Sequence, residues 1–524
     1  MGDIHIGEIL SRNGRVYGRD VALVEREPKK GIRREITWGE FDEKARRFAN
    51  ALSALGVRKG DKVVHFMMNS IEWLIAYFGV VKTGALVVPL NFRFLSEEVK
   101  YCCDVAEPKV LIFDEEFTER IEPIRDRLKT VEEYVCVGKE VPPFARSFYD
   151  LLRDSEVSPL PIEITYADPC GLYFTSGTTG KPKPILLTHK NMVFSCITEN
   201  FRQRMRKEDI FILMPPLYHT GAKMHWFGSF IVGGRAVLLR GISPEWILET
   251  VSEEGGTVVF LLVPWAQDIL VKLDRGEIRL SDYKLEQWRL MYIGAQPVPP
   301  SLIRHWRQYF PKMQYETVYG LSEATGPGCI HLGVENEHKI GAIGRPGFNW
   351  EVRIVDEHGR DVKRGEVGEL IVRGEGVMKE YYKNPEATAK AIRDGWLYTG
   401  DMAREDEDGF IWLVDRKKDI IIVGGENVFP VEVEDFLHTH PAVKDVAAIG
   451  YPDERLGEVV AVVIELVPDM RLTEEEVLRY CERLPKYKRP RKVFFGEVPR
   501  NPTGKIEKPK LRKQYIGIEE AFKV

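Results

Sequence analysis

Apolar residues recur at Phe41, Ala45, Phe48, Leu52 and Leu55, a helical spacing that predicts a helix over residues 37–57. Thr37 followed by Glu40 has the form of a capping box at its start. The apolar run DKVVHFM (residues 61–67) predicts a strand, and SIEWLIAYFGVVKTG a helix ending at Gly84. ALVVPLN then predicts a buried strand, SEEVKYCCDVA a helix and KVLIF a strand. Such β-α alternation implies mostly parallel sheets covered by helices. The most apolar stretch, Leu74 to Leu90, is broken by Lys82, Gly84 and Pro89. It predicts a buried helix-turn-strand and no membrane span.

The alternation resumes after Pro169, with strands expected in GRAVLL, TVVFLLVP and WRLMYIGAQ. After about Asn349 the texture changes. EVRIVDEHGRDVKRGEVGELIVRG has short apolar runs separated by DEHGR and KRGEVG turns, the pattern of a small antiparallel β unit. Beyond Asp415 a last module reads helix, strand, turn, strand, helix, and ends in a basic, turn-rich tail, PRNPTGKIEKPKLRK. The predicted fold class is α/β: a large N-terminal domain of α/β sheets with a small β unit (residues 1–415), a hinge at 416–418, and a small α+β C-terminal domain (419–524).

Composition narrows the function classes. The 524 residues are 44% hydrophobic and 30% charged, as in a globular enzyme. With 75 basic and 80 acidic residues the net charge is −5, which gives no bulk reason to expect nucleic acid as a partner. Seven cysteines without a CxxC pair form neither a disulfide framework nor a zinc site, so a reducing compartment and the cytoplasm are expected. MGDIHIGEILSRNGR lacks a signal-peptide apolar core, and Ile6 stands where a myristoylation signal needs Ser or Thr.

The densest candidate chemistry is TSGTTGKPK, Thr175 to Lys183. Gly177 and Gly180 can take backbone angles closed to other residues, and Ser176, Thr178 and Thr179 add hydroxyls. With Lys181 and Lys183 they can surround phosphate oxygens. It is not a Walker loop, because only two residues separate the glycines and Pro182 follows Lys181. Alone, it reads equally as a Gly-Thr hairpin solvated by lysine.

Other segments decide between these. TSGTTGKPK resembles the phosphate loop of the AMP-forming acyl and aryl adenylating superfamily, which holds acyl-CoA synthetases, luciferases and peptide-synthetase adenylation domains. The family's further motifs follow in order: MPPLYHT (214–220), IGAQPV (293–298), YGLSEATG (319–326), YTGD (398–401), DRKKDIIIVGGENVFPVEVE (415–434) and PRNPTGK (499–505). The chain is most similar to the acyl-CoA synthetase branch. The resemblance implies ATP, Mg²⁺ and CoA as reactants and cofactor, and a small-molecule carboxylic acid as substrate. It implies no nucleic acid and no integral membrane segment, and is compatible with a homodimer.

The same resemblance implies residue roles. Thr175, Ser176, Gly177, Thr178, Thr179, Gly180 and Lys183 hold the β- and γ-phosphates. Glu323, with Thr179, takes the metal, whose hard oxygen chemistry suits a carboxylate and phosphates. Tyr319, Gly320, Ser322 and the backbone of Gly294, Ala295, Gln296 and Pro297 form the adenine slot. Asp401 accepts from both ribose hydroxyls and Arg416 contacts the ribose. Lys505 reaches from a mobile small domain to the carboxylate and α-phosphate, where a compact ammonium offsets charge at phosphorus. His219 stands beside the carboxylate as a gate.

For the thiol half-reaction the small domain turns about Lys418, where many relatives carry Asp. The turn brings Gly424 and Gly425 to a pantetheine tunnel and Arg489 and Arg491 to the CoA phosphates. Gly221, Trp226, Trp265 and Pro327 join His219 in the acyl pocket, and Lys223 snorkels to solvent. Two tryptophans predict a bounded pocket for a medium, branched or cyclic acid. Two other readings stand beside the ligase: an enzyme that loads a carrier-protein thiol, and a non-catalytic nucleotide-binding homologue.

Overall fold

The computed structural model describes residues 4–175, 182–294, 298–416, 419–424, 426–501 and 505–517, with only the backbone of residues 223–228 and 327. Local signals act where the pattern placed them. Thr37 caps the helix Trp38–Ala54 reciprocally with Glu40 (2.9 and 3.3 Å). Ser70 caps Ile71–Lys82 through the Trp73 amide at 3.0 Å.

The first sheet has eight strands. Its parallel centre runs Leu86–Pro89, Lys62–Phe66, Val110–Asp114, Glu133–Val137. The hairpin Pro169–Thr175/Lys183–Thr188 is added on one side. The second sheet has nine strands. Val21–Glu27, Arg235–Leu239, Ile210–Leu213, Val258–Leu262, Leu290–Gly294 and Gln314–Leu321 run parallel, and antiparallel strands close both edges. Strands buried on both faces need continuous apolar runs, which VVFLL and LMYIG supply.

The main core lies between the sheets. It joins Val63 and Val87 of the first to Phe211, Val258 and Leu290 of the second through Phe41, Phe48, Leu74, Phe78 and Met192 on intervening helices. Phe41 and Phe48 are fully buried, each worth roughly 2–3 kcal/mol of transfer free energy. A five-stranded sheet with only antiparallel pairs follows, in which Trp396–Glu405 pairs with Ile411–Arg416. The small domain wraps the helix Pro430–Leu437 and two others around a second five-stranded sheet, centred on Gly457–Leu466. The α/β architecture with a small α+β domain is as expected.

Two segments differ from the sequence pattern. Ile6–Val16 is a helix that buries Ile6, Ile9 and Leu10 on one face. Lys508–Ile516, within and beyond the basic tail, is also a helix. Its buried face carries Leu511 together with Lys508 and Arg512, which pair with Glu434 (3.0 Å) and Asp419 (3.2 Å). Charge on the inward face hides the helical period. All seven cysteines are buried free thiols. Among the described residues no helix is long and apolar enough to cross a membrane.

Candidate active site

Ligands of open parallel sheets bind beyond the carboxyl ends of the strands, where the strand order reverses. In the second sheet Ile210–Leu213 has Arg235–Leu239 on one side and Val258–Leu262 on the other, so the reversal lies there. A cavity of about 370 Å³ opens at those ends, walled by the antiparallel sheet and the small domain. His219, Gly221, Gly294, Tyr319, Gly320, Ser322, Asp401, Arg416 and Lys505 all line it.

One wall is set by strand register. Asp401 and Arg416 are directly opposed on neighbouring antiparallel strands, which brings Arg416 Nε within 3.3 Å of Asp401 Oδ1. The Tyr319 hydroxyl donates to Asp401 Oδ2 at 2.6 Å. Asp401 holds the guanidinium of Arg416 above its ordinary value, and burial and then Asp401 push the Tyr319 phenol well up. Tyr319 and Asp401 are buried and hydrogen-bonded, and Arg416, half-exposed, pairs with Asp401 at the cavity wall.

Across the cavity His219 caps the helix Thr220–Val232, its Nδ1 accepting from the Gly221 amide at 3.3 Å. That bond leaves the proton of the neutral ring on Nε2. The preceding loop is held from the first sheet: Asn69 accepts the Leu217 amide at 2.7 Å and donates to the Pro215 carbonyl at 2.9 Å. Thr220 donates to Ser322 at 3.3 Å, joining this helix to the YGLSEATG turn.

Glu323 lies in that turn, and its Oε1 accepts from the Tyr381 hydroxyl at 2.8 Å. Tyr381 pairs in register with Ile185, on the strand that leaves the glycine-rich loop. The loop's ends are themselves paired, Thr175 opposite Lys183, with Thr175 Oγ1 donating to the Lys183 carbonyl at 3.2 Å. The Lys183 ammonium lies 5.7 Å from the centre of the Tyr381 ring. The strand that leaves the glycine-rich loop and the Glu323 carboxylate therefore share one scaffold.

Lys505 comes from the small domain. Its amide donates to Asn501 Oδ1 at 3.0 Å and its carbonyl accepts the Asn501 amide at 2.9 Å. The preceding Arg500 is anchored to Asp445 by two bonds of 2.7 and 2.8 Å. At the domain junction Asp415 accepts the Arg416 and Val431 amides at 2.6 and 3.1 Å. Burial pushes its carboxyl up to about 6.

Other expected residues lie elsewhere. Trp265 is half-buried between two apolar clusters, away from the cavity lining. Gly424, at φ +59, donates its amide to the Leu456 carbonyl at 2.9 Å. Arg489 is tied to the Leu484 and Glu482 carbonyls, and Arg491 is exposed. Neither Gly424 nor these arginines line the cavity. Ser176, Gly177, Thr178, Thr179, Gly180, Ala295, Gln296, Pro297, Lys418 and Gly425, and the side chains of Lys223, Trp226 and Pro327, lie outside the described residues. Sequence reading passed over Asn69 and Tyr381. Asn69 lies three residues past the end of the parallel strand Lys62–Phe66, and Tyr381 stands in the polar run KEYYKN; position and composition are their only signals.

Residues 10–382 match the family described as AMP-binding enzyme, and 432–505 its C-terminal domain. The chain is 32% identical to the long-chain-fatty-acid–CoA ligase FadD13 of Mycobacterium tuberculosis, covering 98% of each chain. It is 34% identical to a feruloyl-CoA synthase of Amycolatopsis sp, covering 92% of this chain and 94% of that one. It superposes on the anthranilate CoA ligase AuaEII in complex with anthranoyl-AMP with a TM-score of 0.90, at 30% identity over 98% of this chain and 97% of that one. The chain belongs to the AMP-forming acyl-CoA synthetase family and is an acid–thiol ligase.

Proposed function

We propose that the chain activates a compact carboxylic acid at this cavity as its acyl-adenylate and passes the acyl group to CoA. The observation that carries the reading is the meeting of Lys505, from the small domain, with His219, Tyr319, Asp401 and Arg416 of the large one. In the first step a carboxylate oxygen attacks the α-phosphorus of ATP, and the bond to pyrophosphate breaks. Two anions approach, so the Lys505 ammonium aimed at the forming bond lowers the barrier. Asp401 and Arg416 hold the ribose, and Tyr319 packs against the adenine.

Lys183 and the residues of the 175–183 loop bind the β- and γ-phosphates. Glu323, held by Tyr381, offers one hard carboxylate oxygen set beside that loop, a donor that fits Mg²⁺ carried on the nucleotide. Bound there, the ion supplies charge neutralisation for the departing pyrophosphate. In the second step the CoA thiol attacks the acyl carbonyl, and AMP leaves. The small domain turns about Lys418, which withdraws Lys505 and brings Gly424 to the cavity. The proposed location is the cytoplasm.

A panel of carboxylic acids with ATP, Mg²⁺ and CoA, read as AMP released, tests the reading. Acid-dependent AMP formation that requires free CoA supports it. Turnover only with a carrier-protein thiol favours the carrier-loading reading. Absence of pyrophosphate exchange with every acid overturns both.

A further inference from the structure

Alternation along the central strands sorts the cavity walls. Met291 and Ile293 face one apolar cluster, while Tyr292 faces the other, together with Phe260, Leu262 and Ala222 of the helix that His219 caps. Tyr292 lines the cavity on this acyl side. It stands two residues before Gly294, roughly 7 Å deeper than the strand end at which the nucleotide is held.

We infer that Tyr292, latched to Glu199, is the closed end of the acyl pocket and limits the length of the acid. The inference rests on the acid–CoA ligase reading given above. The Tyr292 hydroxyl donates to Glu199 Oε1 at 3.1 Å, and neither residue has exposed surface. Its ring packs edge-on against Phe260, 5.2 Å between centres. Swinging the ring aside breaks the bond to a carboxylate that water does not reach, which is costly in a dry interior. The neighbouring position in the sheet is enclosed as well. Glu316 is in register with Tyr292 on the next strand, and it accepts from Gly333 at 3.2 Å and lies 3.3 Å from His331 Nδ1. Both side chains are fully enclosed. A pocket that stops at a pinned aromatic ring suits a short or compact acid and excludes an extended chain.

The test is a ladder of straight-chain acids from butanoate to hexadecanoate, with the matching acyl-sulfamoyl adenosines as non-reacting probes in calorimetry. Wild type should favour the short end, with kcat/KM and probe affinity falling at least about tenfold for the longest members. Tyr292→Ala should move the optimum to longer acids through the acid KM, with the ATP KM unmoved. Tyr292→Phe keeps the ring and loses the latch, and should shift the optimum in the same direction by less. Because Tyr292→Phe conserves volume, it carries the test if the alanine variant does not fold.

Equal wild-type use of butanoate and hexadecanoate overturns the inference and leaves the ligase reading intact. So does a loss in Tyr292→Ala that is uniform along the ladder, or a Tyr292→Phe profile identical to wild type. If no probe binds and no acid yields AMP, the ligase reading fails, and the latch with it.

Discussion

The two large sheets are wound alike around their centres. In each, one strand (Lys62–Phe66 in the first, Ile210–Leu213 in the second) has its successor on one side and the next parallel strand on the other. Each winding creates a crevice at the strand ends. In the second sheet the crevice widens into the cavity. In the first it is stitched shut: the Met68 amide donates to Asp114 Oδ2 at 2.6 Å, and burial pushes that carboxyl up to about 7. Asn69, the next residue, reaches across to hold the His219 loop. Winding supplies a place for chemistry, and the residues at the strand ends decide whether it is used. The silent crevice acts as a bracket for the active one.

The comparison breaks most sharply at Lys505. Lys505→Ala should lower acyl-adenylate formation about 10²–10³-fold, measured as pyrophosphate exchange. Transfer from preformed acyl-adenylate to CoA should be nearly unaffected if, as proposed, the lysine withdraws for that step. Comparable losses in both half-reactions would contradict its assignment to the first. Next comes the active crevice's wall. Asp401→Ala removes the acceptor of Tyr319 and Arg416 and should raise the ATP KM on the order of tenfold or more, with the acid KM moving less.

The bracket sharpens the contrast further. Asn69→Ala strands the Leu217 amide and the Pro215 carbonyl, each buried, and should cost roughly 1–3 kcal/mol in kcat/KM for the acid. A fall in thermal stability alone, with kcat/KM intact, would show that Asn69 serves only folding.

The smallest effect on activity is expected in the silent crevice. The folded state holds the Asp114 carboxyl above its ordinary value, so its contribution is whole at low pH and fades as pH rises through about 7. Asp114→Asn keeps an acceptor for Met68 and cannot ionise. It should therefore gain on wild type in thermal unfolding between pH 5 and pH 8, by on the order of 1–3 kcal/mol, with AMP formation little changed.

The sequence was most legible where function repeats a local motif. The runs YGLSEATG, YTGD and PRNPTGK place Tyr319, Asp401 and Lys505, and the fold brings all three to one cavity. Apolar period and the Thr37–Glu40 capping box likewise placed central strands and helices. What remained hidden depends on distant partners. Asn69 contacts a loop 146 and 148 positions away, and Tyr381 meets Glu323 across 58. No local pattern encodes such meetings. Trp265 fits a pocket by residue type, yet its helix turns it into the packing between two cores. The C-terminal helix escaped because its inward face carries Lys508 and Arg512, charges that periodicity counts as outward.

An activated acyl group is an electrophile, and any reactive sulfur nearby competes with the intended acceptor. This chain keeps all seven of its own sulfhydryls out of reach. Enclosure pushes Cys103 and Cys136 up to about 12 and raises Cys329 as well, so the nucleophilic anion is scarce at neutral pH. The catalyst is thereby shielded from labelling itself with its own product, and the incoming coenzyme meets no internal rival.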